Sequence, residues 1–263
     1  PTVGWMTDIA AIQRPDLLDY YRTYYAPNNA VLVIVGDVSA TEVLPRIQEL
    51  FGSVPSGPPP PRVRAVEPAQ RGERRVIVRR EVQFPSLLMA FHVPNLTQPD
   101  GFALEVLRAA LADGRSARLV RDFVYRRQIT LEVDADYDAL SLDPGLFSVS
   151  ATASPGGKIE ALEADLLAEL ERVKAEGITP EELQRAQDRL EAQAILRQDS
   201  AFAQGMLLGQ YELLGGWRLR DEYVRGIRGV SAEDIRRVAS RYLSSDNRTV
   251  GLLLPVTPRE ERP

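Results

Sequence analysis

Cysteine is absent from all 263 residues, so disulfides, thiolate metal ligands and a cysteine nucleophile are excluded. Histidine is almost absent: His92, in Phe91-His-Val-Pro94, is the single copy. One histidine cannot supply the paired histidines of a zinc site, and on a β segment it reads as structural. With no Gly-x-Ser-x-Gly elbow, it is also a poor base for serine chemistry. The GxxxxGK[ST] phosphate loop is missing; Gly114-Arg-Ser116 and Gly156-Gly157 read as turns. Apolar runs such as Ala30–Val35 fall far short of the roughly 20 residues of a spanning helix, so no membrane-spanning segment is expected. Strong charge is lacking too. Thirty-two basic and 37 acidic side chains leave a net −5 spread along the chain, with no basic patch for nucleic acid. Nothing near Pro1 resembles a signal peptide and there is no initiating methionine, so the natural N-terminus is expected elsewhere.

What is present is an ordinary globular composition, 44% apolar and 26% charged, long enough for one large domain or two smaller ones. Arg14-Pro-Asp16 puts proline and an acid in a first helical turn. Leu17, Leu18, Tyr21, Tyr24 and Tyr25 follow at helical spacing, and Pro27 stops the helix. Tyrosines at that spacing could line a peptide surface, but more simply they cover a sheet. Ala30–Val35 reads as a strand buried on both faces. Ser39-Ala-Thr-Glu42 predicts a capping box opening a helix that ends near Gly52. Pro55-Ser-Gly-Pro-Pro-Pro-Pro61 is an extended spacer, read as a domain boundary in preference to a loop within one domain.

Beyond it the pattern restarts. Strands are expected over 74–82 and 85–93, helices over 99–113 and 116–126, and a hairpin over 130–137 and 146–153 that turns at Asp143-Pro-Gly145. Ile159, Leu162, Leu166, Leu170 and Val173 form one apolar stripe. Thr179-Pro-Glu-Glu182 is a second capping box, which explains the paired acids Glu181 and Glu182 by the helix N-terminus. A last helix begins at Ser231, with Ile235, Val238, Ala239, Tyr242 and Leu243 on one face, and yields to a strand at 249–254. The class is α+β, an antiparallel sheet covered by long helices.

The final helix, turn and strand resemble the first. Setting Tyr25 against Tyr242 places Leu18 on Ile235 and Tyr21 on Val238, with a gap of about two residues before the strands. Helix–turn–strand units are common enough for chance to produce such a match. Taken as a repeat, it makes the first forty residues the end of a domain, with roughly 150 residues expected upstream of Pro1.

An ordered set of motifs then carries a resemblance over nearly the whole chain: Gly4-Trp5, Asp8-Ile9, Tyr24-Tyr-Ala-Pro-Asn-Asn29, Val35-Gly-Asp-Val38, Pro99-Asp-Gly-Phe-Ala-Leu-Glu-Val106, Gly114-Arg-Ser-Ala-Arg-Leu119, Pro144-Gly-Leu-Phe147 and Thr179-Pro-Glu-Glu-Leu-Gln-Arg-Ala186. The chain resembles the zinc peptidases of the pitrilysin and insulinase type, which include the mitochondrial processing peptidases. The resemblance implies a first-domain tail at 1–54, a spacer at 55–70 and a second, non-zinc domain at 71–263. It implies zinc in the missing upstream part, on a His-x-x-Glu-His motif and a distal glutamate, and no cofactor, metal or catalytic residue in this chain. Its implied partners are the missing N-terminal domain, a peptide substrate bound by strand addition in a chamber, and a homo- or hetero-dimeric second half. An extracytoplasmic, periplasmic location is favoured by resemblance alone. The competing expectation is a non-catalytic partner or scaffold subunit.

Active members of that family supply an arginine and a tyrosine, seven residues apart, as oxyanion donors. Carried over through Gly114–Leu119, those positions hold Val124 and Leu131. Arg118 and Tyr125 share the spacing but lie too early and read as surface and packing. Arg126 or Arg127 could substitute after a small shift.

Overall fold

The computed structural model describes residues 4–61 and 67–256. The expected domain tail at 1–3, the spacer at 62–66 and the chain end at 257–263 lie outside the described residues. The chain divides into two units, Pro1–Glu67 with Ser200–Gly209, and Pro68–Asp199 with Gln210–Pro263.

The second unit is built on a five-stranded sheet, β1 (Arg74–Arg80), β2 (Ser86–Val93), β3 (Thr130–Tyr137), β4 (Gly145–Ala153) and β5 (Arg248–Pro255), in the order β1-β5-β2-β4-β3. Three pairings are antiparallel, whereas β1 and β5 run parallel, so the sheet is mixed. The last strand of the chain thus inserts between the first two. Period-two alternation places Leu87, Met89, Phe91 and Val93 of β2, Phe147, Val149 and Ala151 of β4, and Val133, Ala135 and Tyr137 of β3 on one buried face. Against it lie α4 (Asp100–Ala112), α5 (Ile159–Glu176) and α9 (Ala232–Tyr242). Packed against α4 are α6 (Pro180–Leu196) and α8 (Leu219–Gly229). The expected stripe Ile159, Leu162, Leu166, Leu170 and Val173 is buried, as are Ile235, Val238 and Ala239. The opposite sheet face is shallow, with Leu88, Ser150, Thr152, Gly251 and Leu253 around an open concavity of ≈520 Å³.

Helix starts follow their local chemistry. Thr179 Oγ1 accepts from the Glu182 amide while Glu182 accepts from the Thr179 amide, closing the predicted capping box of α6. Ser231 and Asp234 do the same for α9. Gly101 in the first turn of α4 reflects close backbone approach: a Cβ there would lie 2.7 Å from Leu96 Cα and 2.7 Å from the Asn95 carbonyl oxygen.

The first unit contains α1 (Met6–Ala11), α2 (Arg14–Tyr24), a 3-10 turn (Pro27–Asn29), α3 (Ala40–Phe51) and the first nine residues of α7 (Ala201–Leu214). No residue of α1, α2 or α3 is buried. Three expectations are corrected here. Ala30–Val35 is not a strand: no neighbouring strand among the described residues bonds to it, and Val31, Leu32 and Ile34 are exposed. Only Val33 and Val35 gain partial cover, beside Gly209 and Gly205. Among the described residues Tyr20, Tyr21 and Tyr25 cover no sheet and stand 58–68% exposed; Tyr25 stacks on Tyr21 and meets Tyr20 edge-on instead. Ser39 makes no side-chain cap; its hydroxyl meets Thr41 Oγ1 at 2.7 Å.

The repeat is visible in each unit taken by itself, in a different register from the sequence alignment. Both α2 and α9 span 11 residues. In both, a carboxylate at the third helical position accepts from the backbone N–H three residues earlier, Asp16 from Gln13 at 2.8 Å and Asp234 from Ser231 at 3.0 Å. Asn29 Nδ2 donates to the Tyr24 carbonyl at 2.8 Å, and Asn247 Nδ2 donates to the Tyr242 carbonyl at 2.8 Å. Tyr24, not Tyr25, therefore corresponds to Tyr242, and no gap is needed. The asparagine bridge fixes the turn length, which the apolar pattern alone did not.

Candidate functional site

The segment joining α4 to β3, with the start of β3, holds the two positions where the sequence predicts lost oxyanion donors. It opens at Gly114, whose φ of +93° is left-handed and suits glycine. Asp113, just before it, accepts from the Arg189 guanidinium and from Gln193 Nε2 at 3.0 Å, which ties the end of α4 to α6.

Arg118 follows, and it is not a surface residue. It is 9% exposed, with Nε 3.1 Å from Glu182 Oε1, Nη2 on Glu182 Oε2, and Nη1 3.4 Å from Glu169. Burial opposes its charge, but the hydrogen bond and charge of Glu182, with Glu169 behind, outweigh it and hold the guanidinium above its usual pKa. Burial likewise opposes ionisation of Glu182, yet Arg118 and the Thr179 amide hold its carboxyl below the ordinary range. One glutamate therefore caps α6 and anchors the segment before β3.

From Val120 to Arg126 the backbone is a π-helix, where an α-helix was expected. The Arg127 amide donates to the Asp122 carbonyl at 2.8 Å, the five-residue step of that geometry. Gln128 then takes φ +54°, a left-handed angle uncommon outside glycine, and Ile129 N donates back to Phe123 O at 2.9 Å.

On this framework Val124 is half-buried against the hydrophobic core and Leu131 is 47% exposed on β3. Neither side chain has a hydrogen-bond donor, so neither can stabilise an oxyanion. Arg127 does not stand free: it bonds Asp165 at 2.6 Å, lies 3.7 Å from Asp122 and covers the Phe123 ring. The Arg126 side chain is 71% exposed, and among the described residues its ion-pair partner is Asp122 at 3.8 Å. Tyr125 is half exposed beneath Arg115, 5.8 Å from its ring centre.

His92 lies partly covered on β2, with its carbonyl accepting from Asn247 at 2.9 Å. Among the described residues no three His, Cys, Asp or Glu side chains converge as metal ligands. The donor set does not fit zinc. Among the buried carboxylates that sequence reading missed is Asp100, which accepts from Arg237 at 2.5 Å, Arg241 at 3.0 Å and the Tyr242 hydroxyl at 2.7 Å. Burial opposes its charge, but these donors hold its pKa below the usual value. The local signal was only Pro99-Asp100 at a helix start; its partners lie 137 to 142 residues away.

The Peptidase M16 inactive domain matches residues 11–190. Zinc protease PqqE of Helicobacter pylori is 27% identical over 258 residues, 96% of this chain and 57% of that protein. The crystal structure of a protease from Helicobacter pylori superposes with a TM-score of 0.90 at 26% identity, over 96% of this chain and 61% of that one. The first half of the periplasmic protease PqqL from Escherichia coli shares the fold, with a TM-score of 0.74 at 14% identity, covering 96% and 57% of the two chains. The chain spans about half the length of the curated relatives it matches. No helix among the described residues is long and apolar enough to cross a membrane.

Proposed function

This chain belongs to the Peptidase M16 inactive domain family, and from that premise we propose that it is the non-zinc portion of a zinc metallopeptidase and forms part of the substrate chamber wall. Residues 1–54 are then the tail of a first, zinc-holding domain, 55–70 a spacer and 71–263 the second domain. The observation that supports this reading is the inactive-domain match over residues 11–190 together with the helix-covered five-stranded sheet of the second unit. The fold is kept while both donor positions are apolar. The exposed strand-like run at 30–35 supports the tail assignment, because its equivalent, β5, is flanked by two strands. An extracytoplasmic location is part of the same proposal and rests on the periplasmic protease of like fold.

In this reading zinc and its general base lie upstream, and this chain contributes shape and surface without proton transfer. The test is to express the frame with roughly 150 further upstream codons. Zinc is then measured by mass spectrometry, and cleavage with a fluorogenic peptide. The extended protein is expected to hold one zinc and cleave in a chelator-sensitive way, while the 263-residue chain does neither. Chelator-sensitive cleavage by the 263-residue chain alone would refute the proposal. Val124 and Leu131 also favour a second reading, a non-catalytic scaffold subunit. An extended protein without zinc, active only beside another subunit, would select it.

A further inference from the structure

We propose that the free edge of β1 is a docking site for an extended polypeptide segment with an apolar centre and acidic flanks, bound by strand addition. The inference rests on β1 alone and holds whether or not the parent protein cleaves peptides. β1 stands at one end of the sheet and pairs only with β5, in unbroken parallel register from Arg74–Thr249 to Arg80–Pro255. In a parallel ladder alternate residues direct both N–H and C=O away from the bonded neighbour. Among the described residues no strand meets that side of β1.

Exposed edges are commonly blunted by proline, a bulge, shortness or a covering element. β1 shows none of these over its seven residues, and Val76, Ile77 and Val78 are 53, 54 and 42% exposed. Among the described residues charge is the guard that remains, with two arginines at each end of Arg74-Arg-Val-Ile-Val-Arg-Arg80. That guard is selective. An antiparallel β1–β1 pair centred on Ile77 would set Arg74 against Arg80 and Arg75 against Arg79, and like charges directly opposed are destabilising. The charge that opposes a second copy favours an acidic strand. Arg75 is committed to Glu163 and Glu73. Arg79 and Arg80 make no side-chain ion pair among the described residues, and as neighbours on a strand they project to opposite faces. Two consecutive acids on the incoming segment would meet both, while its apolar centre covers Val76–Val78.

The probe is a fluorescein-labelled peptide, Glu-Glu-Val-Thr-Val-Glu-Glu, titrated with the 263-residue chain and followed by anisotropy. Saturable binding is expected, weakening at least about tenfold when the flanking acids become lysines. It is also expected to be lost when alternate peptide nitrogens are methylated, because strand addition needs their N–H groups. Arg79→Glu with Arg80→Glu should weaken binding about tenfold while leaving the thermal melt unchanged. No saturable binding would overturn the proposal, as would binding indifferent to N-methylation or to flanking charge. Dimerisation of the chain that is abolished by the same two substitutions would assign the edge to a second copy instead.

Discussion

Arg118→Met removes the guanidinium that joins the segment before β3 to the start of α6. The side chains of Arg118, Glu182 and Glu169 are 10, 5 and 7% exposed, so the variant leaves two buried carboxylates short of a partner. Breaking a buried pair from one side costs about 3–5 kcal/mol. Glu182 retains Arg121 at 3.4 Å and the Thr179 amide, and Glu169 retains Arg172, so the lower end applies, about 3 kcal/mol. For a unit of this size that lowers Tm by roughly 6–12 °C. The sign of the pH dependence follows from Glu182. Its folded pKa lies below the ordinary value, so its contribution is present above the unfolded pKa and is lost as pH falls through the folded one. In the variant, burial acts on Glu182 with less opposition and raises its folded pKa. The stability gap should be full at pH 7 and narrow from about pH 5 downward. Urea unfolding followed by circular dichroism at pH 7 and pH 4 measures both quantities. Adding Glu182→Gln should recover part of the loss, since the amide can still accept from Thr179. A loss under about 1 kcal/mol at pH 7, or a gap that widens in acid, would refute the reasoning.

Gly101→Ala should destabilise the second unit by about 1–3 kcal/mol, because the added Cβ would meet backbone atoms at 2.7 Å; a thermal melt decides it. Hydrogen exchange should separate the two copies of the repeat. Amides of α2, which buries nothing, should exchange at least about 100-fold faster than those of α9, whose Ile235, Val238 and Ala239 are 0% exposed. Equal protection would mean that the shared turn, rather than tertiary burial, stabilises both helices.

The sequence by itself determined several helices and the strands of the second unit, because their signals act within a few residues. The Thr179–Glu182 box, the Ile159–Val173 stripe and the Asp143-Pro-Gly145 turn each carry their own physics locally. It also set which residue types are at hand: one histidine, no cysteine, and apolar residues at 124 and 131. The family resemblance was legible in the same way, from motif order. Tertiary structure alone decided the partners. Ala30–Val35 and β5 have similar apolar character, yet only β5 is a strand, because β1 and β2 offer edges on both of its sides. Arg118 had no local sign of burial, since Glu182 lies 64 residues away, and Asp100 finds its three donors still further along the chain. Capping and periodicity are contacts between near neighbours, which a sequence lays side by side. Sheet pairing and buried ion pairs join residues far apart in the chain, and folding alone brings those together.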